Sequence, residues 1–408
     1  MQKNLINNYT LALAGFVLLS ACNSSHVTGQ QGSGSAPVET EKANSEYKPA
    51  FAGQTRVAGV KTTTPYKVEQ VAEGLYRPWA VIPMPDNRLL ITSISGYMTI
   101  HDADGKELKK ITGFPEVLAK GQGGMLDVAL DPDFATNRMI YWSFSELQGD
   151  ANLMAVAKGK ISADETKIEN AVVIFRATPA LKSNLHFGSR LLFDKDGYLF
   201  VSTGERSIGE GRKQSQWLNS GLGKIFKLTK DGKPAPGNPF IGKADAMPEI
   251  YSYGHRNPQG LDIHPVTGDL WENEFGPRGG DELNIVVAGK NYGWPTITYG
   301  IEYGGGKVGD AIQQMNSMEQ PVYYWDPVLS PSGMAFYKGD AIPEWKNNLF
   351  ISGLSGMQIC RLVIEKNKVV GEERLLTDKQ ERFRDVTYVN GALYAVTDRG
   401  KMFKISKQ

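Results

Sequence analysis

The stretch Gly254-His255-Arg256-Asn257-Pro258-Gln259-Gly260 sets an imidazole, a guanidinium and an amide between two short apolar runs. A connecting turn needs only the Pro and Gly, so the polar cluster faces something. His186, in "NLHFGSRLLF", precedes a glycine turn that opens a strongly β-forming run. That places it at a strand's loop end, where a histidine serves as a general base or simply faces solvent. The chain has 5 histidines; His26 lies in a polar leader, leaving His101, His186, His255 and His264 for chemistry near neutral pH. Gln122 has a glycine on each side, which lets backbone approach a flat or bulky group, or forms a flexible loop. "NEFGPRGGDELNIVVAGKNYGWP" combines Glu274, Asp281 and Glu282 with Gly and Pro that turn carbonyls outward. Mixed carboxylate and carbonyl oxygens are a Ca²⁺ donor set, although the spacing is not that of an EF-hand; the other reading is a solvated acidic turn. Arg382 and Arg384 stand two apart, so on a strand both point one way and suit a multi-carboxylate ligand. Their other reading is a surface pair satisfied by Asp385 or Glu381.

Several chemistries are absent by motif. There is no HExxH helix, no GxxxxGK[ST] phosphate loop and no GxSxG elbow, and "GLGK" at 221–224 lacks the third glycine of a nicotinamide fold. Without residues 1–21 the chain carries equal numbers of basic and acidic residues, 44 of each. A neutral chain lacks the basic field that a nucleic-acid partner requires. The 2 cysteines are Cys22 and Cys360. Cys360, in "MQICRLVI", reads as a small buried hydrophobe.

The elements that position these residues follow from a loose internal repeat. Turn residues precede a short β-rich run six times. The pairs are Pro85-Asp86-Asn87 before "RLLITS", Ala135-Thr136-Asn137 before "RMIYWSF", Asp194-Lys195-Asp196-Gly197 before "YLFVSTG", Thr267-Gly268 before "DLWENEFG", Lys346-Asn347-Asn348 before "LFISGL", and Asn390-Gly391 before "ALYAVTD". Each is a hairpin signature. Six units at blade-like spacing, with 45 Gly and 21 Pro throughout, fit best an all-β, six-bladed β-propeller whose functional groups lie in loops around the central mouth, a sandwich or a double barrel being the other architectures this pattern allows. Ahead of it, Lys3 and the apolar run Leu11–Leu19 read as an export signal too short to span a bilayer. "LSAC", ending at Cys22, resembles a bacterial lipobox, which implies cleavage after residue 21, lipidation of Cys22 and residence at the periplasmic face of a membrane. The organisation expected is a signal over 1–21, a lipidated Cys22 and flexible tether over 22–65, and the propeller over 66–408.

Six motifs in order, "GQGGMLDVALDPDF", "HFGSRLLFDKDGYLFVSTGE", "YGHRNPQGLDIHP", "EFGPRGGDELN", "KNYGWP" and "RFRDV", make residues 66–405 similar to the soluble aldose sugar dehydrogenases, the glucose/sorbosone dehydrogenases that use pyrroloquinoline quinone (PQQ). The resemblance implies PQQ over the channel mouth with calcium on the quinone, and oxidation of an aldose at C1 to the lactone. His186 is then the base and Arg256 acts at the reactive carbonyl. Gln122, Arg256, Asn257, Tyr303, Arg382 and Arg384 are PQQ contacts. Gly276 and Pro277 offer carbonyls to the PQQ-bound calcium, and Glu282 and Tyr292 are ligands of a second calcium. His255 is expected to be structural. Two departures stand out: Ser355 replaces a Lys that meets PQQ in the family, and Ser189 replaces a common second Gly. The electron acceptor implied is a cytochrome or quinone, and the membrane is met through the lipid alone. Two other readings use the same residues: a calcium-dependent propeller lactonase without quinone, and a non-catalytic sugar-binding surface lipoprotein.

Overall fold

The computed structural model describes residues 35–408, so Cys22 and the signal lie outside the described residues. Those residues form six sheets of four antiparallel strands. The first blade runs Pro78–Pro83, Leu89–Ser93, Tyr97–His101 and Glu107–Ile111, and the second Met125–Leu130, Met139–Gln148, Ala151–Ile161 and Ile168–Arg176. The third is Gly188–Phe193, Leu199–Thr203, Lys224–Leu228 and Ile250–Tyr253; the fourth is Pro258–Ile263, Leu270–Glu274, Asp281–Val286 and Tyr323–Trp325. The fifth is Pro331–Phe336, Leu349–Gly353, Gln358–Glu365 and Lys368–Leu375. The sixth joins Phe383–Val389, Ala392–Thr397 and Met402–Lys407 to the first strand of the chain, Tyr66–Ala72. The two ends of the propeller thus meet in one sheet, which closes the ring and removes two free edges.

The first strand of every blade touches the first strands of its two neighbours, so these six line the axis. All six predicted turns join a blade's first strand to its second. Between blades lie six apolar clusters, one for each neighbouring pair; Trp142 and Met98 fill the first–second gap, Trp271 and Phe336 the fourth–fifth. Each fully buried Leu, Ile, Val or Phe contributes about 1.5–3 kcal/mol to that stacking. Arg190 ties the ring at the axis: its Nη1 lies 3.2 Å from both Asp127 and Asp385, and its Nε donates to the Gln259 carbonyl at 2.9 Å. These partners come from the second, sixth and fourth blades. Burial raises Asp127 to about 6 even with Arg190 opposing it.

The segment ahead of Tyr66 departs from the expected tether. Gln54 is fully buried and Val57 joins an apolar cluster. Val60 N–H donates to the Glu372 carbonyl at 2.9 Å and Glu372 N–H to that of Ala58 at 3.0 Å, covering the fifth blade's outer edge. Thr62 donates through N–H and hydroxyl to Glu373, 2.7 Å each. The folded part therefore starts before residue 66, fastened by polar side chains as well as by Val57. Among the described residues no helix is long and apolar enough to cross a membrane.

Candidate active site

A register shift occurs near the start of the first strand in all six blades, at Pro78/Val81, Met125/Val128, Gly188/Leu191, Pro258/Gly260, Pro331/Met334 and Phe383/Asp385. Such bulges re-aim side chains where a strand leaves its loop. Here they ring a cavity of about 520 Å³ whose wall includes Gln122, His186, Gly276, Pro277, Tyr303, Arg382 and Arg384. Trp79, Leu126 and Gln259 also line it, while Asp127, Arg190 and Asp385 line a separate cavity of about 220 Å³. The volume suits one small organic ligand.

His186 sits with φ +48°, a left-handed backbone that a non-glycine residue adopts only when its surroundings hold it there. Those surroundings are specific. Its N–H donates to the Gln122 Oε1 at 2.8 Å, and its Nδ1 lies 2.7 Å from Glu205 Oε1. Arg206 fixes the loop from behind, donating to the carbonyls of Leu185 and Asn152 at 3.1 and 2.9 Å and lying 4.0 Å over the Phe187 ring. The imidazole is buried. Burial and then the Arg256 charge depress its pKa, outweighing Glu205, which raises it. A neutral ring with Nδ1–H held by a carboxylate presents Nε2 as a base. Glu205 is the functional residue the sequence reading omitted. Its signal was its place just past the strand "LFVST", on the same loop end as His186.

The cluster that opened the sequence analysis is built around Glu274. Its Oε2 accepts the backbone N–H of Arg256 and, at 3.0 Å, that of Asn257. Asn257 Oδ1 accepts from Gly188 N–H at 2.9 Å and Gln259 Nε2 at 3.3 Å, which fixes the amide and leaves its buried Nδ2 without a partner. Arg256 Nη1 donates to the carbonyls of Phe275 and Gly276 at 3.1 and 2.5 Å, its guanidinium lies 5.0 Å over the Trp294 ring, and its buried Nε has no partner. Arg256 thus lies behind the Phe275–Pro277 wall and holds a carbonyl that the resemblance assigns to calcium. His255 is structural in its contacts: it stacks on Tyr292 at 4.6 Å and its Nδ1 lies 3.5 and 3.2 Å from Glu272 and Glu274. Burial alone would depress His255, but the two carboxylates push it up to about 9.

Arg382 and Arg384 do point to one place. Their Nε atoms reach the two oxygens of Asp398 at 3.0 and 2.9 Å. The partner is Asp398, across the sixth blade, rather than Asp385 or Glu381. Burial raises Asp398, yet Arg384 and Arg382 together hold it below the ordinary carboxylate range. Asp385 instead faces Arg190, and Glu381 pairs with Lys401 at 2.7 Å. Tyr303 is two-thirds exposed at 66% on the cavity rim. Ser355, in the wall, exchanges a 2.8 Å hydroxyl contact with Ser330.

Glu282 and Tyr292, the expected second calcium pair, have separate side-chain partners. The Tyr292 hydroxyl donates to the Ile285 carbonyl at 2.6 Å and accepts from Val287 N–H at 2.9 Å, while Glu282 accepts from Asn284 at 3.3 Å. Glu282 is on the strand Asp281–Val286, whereas Tyr292 lies in the following loop, where its N–H donates to the Tyr253 carbonyl at 2.8 Å. Burial first, then Glu274, raises Glu282 well above the carboxylate range.

The family profile described as Glucose / Sorbosone dehydrogenase matches residues 75–404. The chain is 43% identical over 345 residues to the aldose sugar dehydrogenase YliI of Escherichia coli, covering 83% of this chain and 92% of that one. A crystal structure of the soluble aldose sugar dehydrogenase from Escherichia coli in the apo-form superposes with TM-score 0.80 at 42% identity, over 84% of this chain and 100% of that one. The PQQ-bound form of aldose sugar dehydrogenase from Streptomyces coelicolor superposes with TM-score 0.69 at 30% identity, over 85% and 99%.

Proposed function

From the premise that this chain belongs to the glucose/sorbosone dehydrogenase family, we propose that it oxidises aldose sugars at C1 with bound PQQ and calcium. The observation that carries this reading is the buried His186–Glu205 pair opening into a cavity that Arg382 and Arg384 also line. The residues fit the quinone on two counts. Two guanidiniums line the wall for its carboxylates. Gln122 lines the same wall and accepts the His186 N–H. Arg256 and Asn257, expected as direct contacts, stand behind the wall instead of in it, with Arg256 Nε and Asn257 Nδ2 buried and unpartnered. Carbonyl oxygen at Gly276 and Pro277 suits calcium, which would meet Gly276 in competition with Arg256. The Glu282 and Tyr292 side chains have separate partners, and no step is assigned to a second calcium.

The quinone supplies, when bound, a two-electron acceptor for the hydrogen on the sugar's C1. His186 Nε2 takes the proton of the anomeric hydroxyl. Glu205 holds Nδ1–H, so the ring keeps the right tautomer and the imidazolium that forms is stabilised. Gln122 holds the His186 backbone in its left-handed turn. Arg382 and Arg384, paired to one carboxylate, retain positive charge for an anionic ligand.

The test uses the purified chain with PQQ and Ca²⁺, a panel of aldoses and a redox dye. Dye reduction is expected, lost with a chelator and in His186→Asn. No turnover with any aldose, or an unaffected His186→Asn, contradicts the reading. We also propose, from the leader and Cys22, that the chain is exported and lipid-anchored facing the periplasm, passing electrons to a cytochrome or quinone there.

A further inference from the structure

We propose that the strap ahead of the propeller is an external clamp on the loop Phe275–Gly280, with Asn44 and Ser45 as positioning residues for the quinone site; this rests on the function proposed above. The loop needs holding. It carries Gly276, Gly279 and Gly280 and, apart from an isolated bridge between Arg278 and Ile301, no regular structure, and glycine has the most backbone freedom to lose. Gly279 and Gly280 have φ of +79° and +68°. A Cβ on Gly279 would come within 2.6 Å of Asp326 Oδ1, so loop and Asp326 are pressed together. From inside, the loop is fastened by Asp281, which accepts Gly276 N–H at 2.8 Å. From outside, the strap's contacts converge on Asp326. Its buried carboxylate accepts Asn44 N–H at 2.8 Å, Asn44 Nδ2 at 3.0 Å, and both Ser45 N–H and Ser45 Oγ at 3.2 Å. Asn44 Oδ1 in turn accepts from Arg278 Nε of the loop at 3.0 Å. Arg56 closes the strap, donating to the carbonyls of Asp326 at 2.7 Å, Glu39 at 3.1 Å and Glu41 at 2.8 Å.

These contacts are separable from the edge-covering ones. The strap's backbone pairs through Ala58 and Val60 to Glu372, and through Gln54 to Tyr324, on other residues. Asn44 and Ser45 lie ahead of the family-matched span, 75–404. Gly276 and Pro277 are in the cavity wall while Arg278 is exposed on the far side. Holding Arg278, Gly279 and Asp326 therefore sets where the wall stands.

The experiment uses the full chain with Asn44→Ala/Ser45→Ala, and Ser45→Thr as the conservative variant. Amide exchange is read at Arg278 and Gly280, whose N–H groups donate to the carbonyls of Ile301 and Trp325 at 2.9 and 2.8 Å. Quinone affinity is read by absorbance titration, and kcat at saturating quinone. The double variant should exchange both amides faster by about tenfold and bind quinone about tenfold more weakly, with kcat at saturation within about twofold and Tm nearly unchanged. Ser45→Thr should behave as wild type. Unchanged exchange overturns the clamp; faster exchange with wild-type quinone affinity overturns its bearing on the site. A wild-type chain that takes up no quinone defeats the functional reading instead, and the exchange rates then decide the clamp alone.

Discussion

Replacing Glu205 with Gln tests how much of the base His186 owes to its carboxylate. Glu205 Oε1 lies 2.7 Å from His186 Nδ1, and both side chains are buried. A charge-assisted hydrogen bond between buried groups is worth about 1.5–3 kcal/mol. The neutral amide keeps the shape and can still accept Nδ1–H, so what is lost is the stabilisation of imidazolium that grows as the proton moves. At about 1.4 kcal/mol per tenfold, kcat should fall roughly 10- to 100-fold with KM for sugar little changed. The pH profile supplies a second reading. Burial and the Arg256 charge already depress His186, with Glu205 opposing them. Its base form therefore persists below the ordinary histidine range in the wild type, and the acid limb of kcat should lie below pH ~6.5. Removing the opposing charge moves that limb further toward acid. Stopped-flow reduction of the bound quinone by sugar from pH 4.5 to 8 measures both. A variant within twofold of wild type, with its acid limb unmoved, refutes the assignment of Glu205 to the base.

Three further outcomes follow. His255→Gln should cost about 3–5 kcal/mol by calorimetry, since it leaves Glu272 and Glu274 buried without their cation. In the wild type this cation has a folded pKa raised to about 9, so its contribution is full below the unfolded value near 6.5 and is lost as pH rises through 9; a Tm-against-pH series should show that decline, and His255→Gln should lack it. Cys22→Ser should move the exported protein from the membrane to the soluble fraction and abolish metabolic labelling with fatty acid.

The blades were legible because turn chemistry is local. Asn87, Gly197, Gly268, Asn347 and Gly391 take positive φ in the turns where the sequence placed them. His186 and the arginine pair were legible for the same reason, being set by their strand's first residues. What escaped was long-range and polar. Asn44 and Asp326 are 282 positions apart, and a segment poor in large apolar residues looks like a tether until its partner carboxylates are known. Asp398, which clasps both arginines, is likewise a neighbour only through the pairing of the sixth blade's strands. Glu282 and Tyr292 show the converse: residues close in sequence, one on a strand and one in the loop after it, whose side chains have different partners.

The central claim is tested most directly by titrating PQQ into the purified chain with Ca²⁺ and following the quinone absorbance before and after adding an aldose. The account predicts saturable binding at one site per chain, bleaching by sugar, and binding weakened about tenfold or more in Arg384→Gln. No saturable binding, or binding that Arg384→Gln and Arg256→Gln leave untouched, would contradict it.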